Sequence, residues 1–307
     1  MSPGGWTPSS GRPAPTNTPR ASKDSWPRTI TRFSVDVHAY APGMELRGKR
    51  VLITGASRGI GESFAHAFAG AGATVALVAR TKDAIRALAA ELEGTAHPAD
   101  LSDPTQVAAL VDQVEKEAGP VDVLVNNAGI GAPAAFTDAP DEDLRQVTQV
   151  NYLAPAELCR KIIPRMLGRG GGHIVNISSM AGCSVLPGLV SYSASKAALS
   201  HFTAGLRADF RGLPIGTTLV ELGPISTEML AQIDDYEPTA AAFRRFYRTH
   251  LAVDVARERV ADEVVEAVQK GRRHVRIPKR MALSSLLSEA PRRSTELMLR
   301  GVPNRVK

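Results

Sequence analysis

The sequence predicts an α/β domain: a single doubly wound parallel sheet with helices on both faces. Two patterns predict it. Six short, β-branched and nearly continuous apolar runs recur along the chain, as expected of strands covered on both faces. Longer amphipathic stretches separate them, which calls for right-handed crossover connections. The composition agrees, since 307 residues that are 43% hydrophobic and 22% charged can bury one large core and match no collagen, coiled coil or mainly disordered chain. A sheet of this kind binds its ligand at the carboxyl ends of its strands.

The first 43 residues are rich in Pro, Ser, Thr and Gly and show neither period, so they are expected to be a disordered tail. Met44, just ahead of the first apolar run, offers an alternative translation start. The sheet domain is expected over 44–279. Its apolar runs are RVLIT (50–54), TVALVA (74–79), VDVLV (121–125), HIVNIS (173–178), GTTLVEL (216–222) and HVRI (274–277). Helices are expected over 60–71, 82–93, 104–118, 141–167 and 191–211. The third of these opens on Ser102-Asp103-Pro104, a strong start signal. A basic amphipathic extension, 280–307, closes the chain.

Charge and cysteine content narrow the function. The net charge of +6 is confined to the ends: residues 1–50 carry eight Lys or Arg against three acids, residues 272–307 ten against two, and the span between is net acidic. With no zinc-finger, RNP or basic-zipper pattern, nucleic acid is not an expected partner. Two cysteines, Cys159 and Cys183, make no disulfide framework and no zinc spacing, so no metal is expected. No run approaches the ~20 apolar residues of a membrane span, and the N-terminus lacks a secretory apolar region. The expected location is cytoplasmic.

The first strand runs into Thr54-Gly55-Ala56-Ser57-Arg58-Gly59-Ile60-Gly61. Glycines here allow a tight turn, close approach of backbone to a phosphate, and packing of the first helical turn on the strand. Free N–H groups at the helix start then face the anion. The spacing is G-x-x-x-G-x-G, not the common G-x-G-x-x-G.

Further on stand Asn126-Asn127-Ala128-Gly129, Asn151, Ser178-Ser179 and Tyr192-Ser193-Ala194-Ser195-Lys196. In this order, with the glycine turn, the series resembles the short-chain dehydrogenase/reductase family over roughly residues 48–277. The resemblance implies a Rossmann fold, hydride transfer with a nicotinamide cofactor, and a homo-oligomer. Tyr192 and Lys196, four apart on one helix face, suit acid–base work, because a phenol with a free pKa near ~10 acts near neutrality only if a positive charge depresses it. Ser179, thirteen positions before Tyr192, matches the family's catalytic serine, which hydrogen-bonds the substrate oxygen. Ser178 should point to the opposite face. By the resemblance, Lys196 also holds the nicotinamide ribose, Asn151 anchors a proton-refilling water chain, and Asn127, Ala128 and Gly129 border the cofactor.

Cofactor choice rests on the end of the second strand, where an acid would bind the free 2′-hydroxyl of NAD. Arg80 stands there instead, and with Arg58 it suits a 2′-phosphate, so NADP is expected. Asp100-Leu101, after the third strand of the family pattern, resembles the adenine-contacting pair. After the sixth strand, Gly223, Ile225 and Thr227 match the cofactor loop. Leu222 stands where the family usually has proline, from which a looser loop is expected.

The expected activity interconverts an alcohol with a ketone or aldehyde. Tyr236, Phe243, Phe246 and Tyr247 hold four of the chain's fifteen aromatics. They suit a hydrophobic substrate or plain helix packing, and Arg244, Arg245 and Arg248 among them an anionic group or a solvated face. The extension suits packing on the domain, covering a subunit, or lying on an acidic membrane surface. A non-catalytic NADP-binding sensor or scaffold is the alternative from another class. An epimerase or dehydratase sharing Tyr and Lys fits the glycine spacing less well.

Overall fold

A computed structural model describes residues 43–225, 231–250, 253–282, 285–288 and 290. The expected tail, except Gly43, lies outside the described residues, as do Thr227 and the extension from 291 onward. Chain contacts separate Met1–Asp36 from Val37–Lys307. Every described residue belongs to the second unit.

The elements run β1 Arg50–Thr54, α1 Gly59–Gly70, β2 Thr74–Ala79, α2 Lys82–Glu91, β3 Thr95–Pro98, α3 Pro104–Ala118, β4 Val123–Asn126, α4 Asp141–Thr148, α5 Ala154–Gly168, β5 Gly172–Ser179, α6 Val190–Asp209, β6 Ile215–Leu222, α7 Glu237–Arg248, α8 Arg257–Gln269 and β7 His274–Ile277. Seven parallel strands form one sheet in the order β3-β2-β1-β4-β5-β6-β7. The doubly wound Rossmann architecture is therefore present.

The nearly continuous apolar runs are explained by burial on both faces. Val51, Ile53, Val75, Leu77, Val123 and Val125 join one core with Phe64 and Phe68 of α1, Ile85 of α2 and Val264 of α8. Leu52, Ala76, Val78, Leu124 and Ile174 face the other way, onto Val107 and Leu110 of α3 and Leu158 and Ile162 of α5. The registers Ala79↔Pro98, Asn126↔Asn176, Ser179↔Leu222 and Leu222↔Ile277 align neighbouring carboxyl ends along one rim.

Three elements differ from expectation. The strand Thr95–Pro98 is absent from the six apolar runs because TAHP is short and polar, and its Pro98 is tolerated on an edge strand. α8 was not expected as an element, although Val260, Val264 and Val268 recur every four residues. The helix expected over 141–167 is interrupted by a π-helical turn, Gln149–Leu153, in which the Ala154 N–H donates to the Gln149 carbonyl. Pro155 has no N–H to offer the Asn151 carbonyl, so a regular ladder cannot continue through this point.

Two buried polar sites brace the far half of the sheet. His173 on β5 shares a 2.8 Å hydrogen bond with Thr218 Oγ1, and burial, aided by Arg207, pushes its pKa down to about 4. Gly216 leaves room for that ring, since a Cβ there would lie 2.2 Å from His173 Nδ1. On β7, Arg276 Nε donates to Glu221 Oε2 and to Ser285 Oγ, each at 2.8 Å. Ser285 is buried, so the first part of the extension packs back onto the domain.

Candidate active site

Above the aligned strand ends lies a cleft of about 1630 Å³. Its first wall is the turn between β1 and α1. Gly55 and Gly59 hold φ of 66° and 62°, a region that favours glycine. Gly61 is required for space, because a Cβ there would lie 2.1 Å from the Gly55 carbonyl oxygen. The turn is stitched to β4: Thr54 Oγ1 accepts from Asn127 N at 3.0 Å and Ala128 N at 3.1 Å, and Asn127 Nδ2 donates to the Thr54 carbonyl at 2.9 Å. The N-cap residue Arg58 makes no side-chain cap, so the first amides of α1 face the cleft. This is a rigid anion cradle.

Beyond the cradle, Ser57, Arg58, Ile60, Arg80, Asp100 and Leu101 line the same cleft, with both arginines exposed. Asp100 Oδ1 accepts from Ser102 N at 2.9 Å and from Ser102 Oγ at 2.8 Å, which fixes the carboxylate at the end of β3.

At the centre, the end of β5 meets α6. Ser179 Oγ donates to the Leu222 carbonyl at 3.2 Å and accepts from Ala181 N at 3.1 Å. The Tyr192 phenol pairs with the Ser179 side chain. Lys196 lies on the same face of α6, its Nζ 5.8 Å from the Tyr192 ring centre and 2.9 Å from the Ile177 carbonyl to which it donates. Ser178 points away, its hydroxyl bonded to the Lys196 carbonyl at 2.9 Å and to Ser200 Oγ at 2.7 Å.

The electrostatics of this trio differ from the expectation. Burial raises the Tyr192 pKa, and the Ser179 hydrogen bond only partly offsets it. Burial also lowers Lys196 to about 8. In the chain alone one of the ammonium's three donors goes to the Ile177 carbonyl, and burial outweighs the lowering by Ser179, so the phenol stays protonated near neutrality.

Asn151 does not line the cleft. It is wholly buried in the π turn, where Oδ1 accepts from Ile130 N at 2.9 Å and Nδ2 donates to the Ile130 carbonyl at 2.8 Å and to Ser195 Oγ at 3.0 Å. It braces the loop after Gly129 against α6. Gly131 in that loop was not singled out from the sequence. A Cβ there would lie 2.7 Å from Tyr192 Cδ2, so the glycine is what lets the ring lie against the loop.

The remaining wall is apolar. Ala181, Leu186 and Leu189 pack with Tyr192, Phe243 and Phe246, and both phenylalanines line the cleft while they pack. Tyr247 instead donates to Asp254 at 2.8 Å, and Arg244 pairs with Glu237 at 2.5 Å, both at exposed positions. Arg257, Arg280 and Leu287 also line the cleft and were not anticipated. Gly223 and Ile225 sit at its edge, and Gly223 N donates to the Ile277 carbonyl at 2.7 Å. Leu222 is buried as the last residue of β6, so the backbone is held firmly up to Gly223.

A family model for the short chain dehydrogenases matches residues 49–238. The chain belongs to the short-chain dehydrogenase family. It is 38% identical over 202 residues to a fatty acyl-CoA reductase of Mycobacterium tuberculosis, covering 63% of this chain and 69% of that relative. Across the first curated relatives the shared stretch spans 64% to 69% of their length. Among solved structures, a short-chain dehydrogenase from Sphingobium yanoikuyae in complex with NADPH superposes with a TM-score of 0.70 at 26% identity, covering 83% of this chain and 98% of that one. One from Burkholderia phymatum in complex with NAD gives 0.67 at 27%, covering 86% and 99%. The glycine cradle, which added Cβ atoms would fill, fits the phosphates of a nicotinamide dinucleotide.

Proposed function

We propose that this short-chain dehydrogenase is an NADP-dependent enzyme that interconverts an alcohol with a ketone or aldehyde on a hydrophobic substrate. The convergence of Ser179, Tyr192 and Lys196 at the floor of one cleft carries the reading. A binding module has no use for that trio. The dinucleotide supplies or accepts the hydride at the substrate carbon. In the reducing direction one hydride and one proton are added, so NADPH, a proton and the carbonyl give NADP⁺ and the alcohol.

The chain's own groups account for the proton. Burial keeps Tyr192 protonated near neutrality, which suits it to give its proton to the carbonyl oxygen. Ser179 is placed to share that oxygen and steady the charge that develops there. Lys196, mostly charged below pH 8, is placed to hold a ribose hydroxyl and to favour the phenolate once the proton has left. Asn151 is a positioning residue, fixing Ile130 and Ser195. The proposed cofactor contacts are Gly55, Ser57, Arg58, Gly59, Ile60, Gly61, Arg80, Asp100, Leu101, Asn127, Ala128, Gly129, Gly223 and Ile225. Arg58 and Arg80 at the adenosine end, with no acid at the end of β2 itself, support a 2′-phosphate.

Tyr192→Phe should lower turnover by a factor on the order of 10³ or more, within reach of lost acid–base catalysis, while NADPH affinity stays within about twofold. Stopped-flow turnover and NADPH fluorescence titration read the two quantities. Undiminished turnover removes Tyr192 from its role.

A further inference from the structure

We propose that the substrate is amphipathic, an apolar body carrying the carbonyl and ending in an anionic group, and that Arg280 is the counter-charge that selects it. The inference rests on the function proposed above and deepens it. Sheet order supplies the first argument. Arg80 follows β2, next to one edge of the sheet, and Arg280 follows β7, the other edge strand, with Ser179 at the end of β5 between them. At about 4.8 Å per strand, Arg80 stands roughly 14 Å to one side of Ser179, where the adenosine end lies, and Arg280 roughly 10 Å to the other. Arg280 therefore cannot serve the 2′-phosphate. Whatever it meets extends beyond the reacting centre.

The surroundings supply the second argument. Arg280 lines the same cleft as Leu186, Leu189, Phe243, Phe246 and Leu287. It donates from Nη1 to the His250 carbonyl at 2.8 Å, which ties the guanidinium to the end of the α7 segment and leaves Nε and Nη2 available. Among the described residues no carboxylate lies within ion-pair distance of it. Arg257, the other unanticipated arginine of the cleft, is instead matched by Glu62 at 3.6 Å and Glu258 at 3.0 Å. Arg244, Arg245 and Arg248, the arginines the sequence suggested, are exposed as Arg280 is, but only Arg280 lines the cleft. A cation beside an apolar wall, with no acid among the described residues to neutralise it, fits a carboxylate or phosphate on the far end of an apolar ligand.

The test titrates NADPH-loaded protein by calorimetry with straight-chain keto acids, keto-alkyl phosphates and the matching keto methyl esters. The acid, the phosphate or both should bind about tenfold tighter than the ester, and the stronger of the two identifies the group. Arg280→Gln should shrink that gap to about twofold, with the kinetic loss in KM and not in kcat, whereas Arg280→Lys should keep most of it. Thermal melting checks that both variants fold. Equal affinity for anion and ester, no binding of either anion, or a gap that survives Arg280→Gln overturns the inference. A wild-type protein that binds no NADPH overturns the function proposed above instead, so the two failures are distinct.

Discussion

The two halves of the cleft are built on different principles. The phosphate cradle of the cofactor half, over β1 and β4, is made of backbone: glycines with positive φ or no space for a Cβ, held by Thr54 and Asn127, with Arg58 and Arg80 as side chains only at the adenosine end. The half beyond Ser179 is made of side chains on connecting segments, with Leu186 and Leu189 ahead of α6, Phe243 and Phe246 on α7, and Arg280 and Leu287 after β7. Backbone that must approach a phosphate tolerates little change, whereas a side-chain wall can be re-cut to suit each substrate. The difference teaches where rigidity is required and where specificity resides.

The largest effect should follow from adding one methyl group at the cradle and one beside the phenol. At Gly61 the obstacle is the Gly55 carbonyl, which cannot move without opening the cradle, so Gly61→Ala should weaken NADPH binding by on the order of 100-fold or prevent folding. At Gly131 the obstacle is the edge of the Tyr192 ring, 2.7 Å away, which can swing. Gly131→Ala should leave NADPH affinity within about twofold and lower kcat by roughly tenfold or more, through misplacement of the phenol. Fluorescence titration and steady-state kinetics separate the two outcomes. Equal losses of affinity in both variants would erase the proposed contrast.

Next in size is the adenosine end. Replacing both Arg58 and Arg80 by Ala should reduce the preference for NADPH over NADH by about 100-fold, since hydrogen bonds to charged groups contribute about 1.5–3 kcal/mol each. The ratio of the two kcat/KM values checks it. A preference that survives assigns the 2′-phosphate to other groups.

The sheet beneath both halves should respond to acid as a unit. His173 is wholly buried, with a folded pKa of about 4 against 6.5 when unfolded. Below pH 6.5 the unfolded chain binds a proton that the folded chain refuses, so the stability present above pH 6.5 is lost progressively down to pH 4. The difference corresponds to about 3 kcal/mol. Urea unfolding of wild type and His173→Gln between pH 7 and 4 should show a flatter profile for the variant, and parallel profiles would remove His173 as the sensor.

How far the sequence could be read follows the same division. Gly55, Gly59, Gly61 and Asn127 were legible because backbone demands leave fixed residue types at fixed spacings, and Tyr192 and Lys196 because one helical turn joins them. Gly131, Arg280 and Leu287 carry no local pattern; chain topology alone brings them to the cleft. The π turn had a local cause in Pro155, yet its consequence, a buried Asn151 turned onto Ile130, depends on where α6 packs. β3 was hidden by polarity, whereas the four-residue recurrence of Val260, Val264 and Val268 was signal enough to have placed α8.

The smallest expected effect sharpens the contrast most directly. Phe246 is partly buried against the Ala181, Leu186 and Leu189 cluster and lines the cleft, so it belongs to the apolar wall and not to the cradle. Full burial of such a ring is worth about 1.5–3 kcal/mol, and a partly exposed one about half of that. Phe246→Ala should therefore raise KM for an apolar ketone by about three- to tenfold and leave the NADPH dissociation constant within about twofold. Measuring both constants on one preparation decides the matter. If cofactor affinity falls as far as substrate affinity, the apolar wall is coupled to the cradle and the two halves act as one.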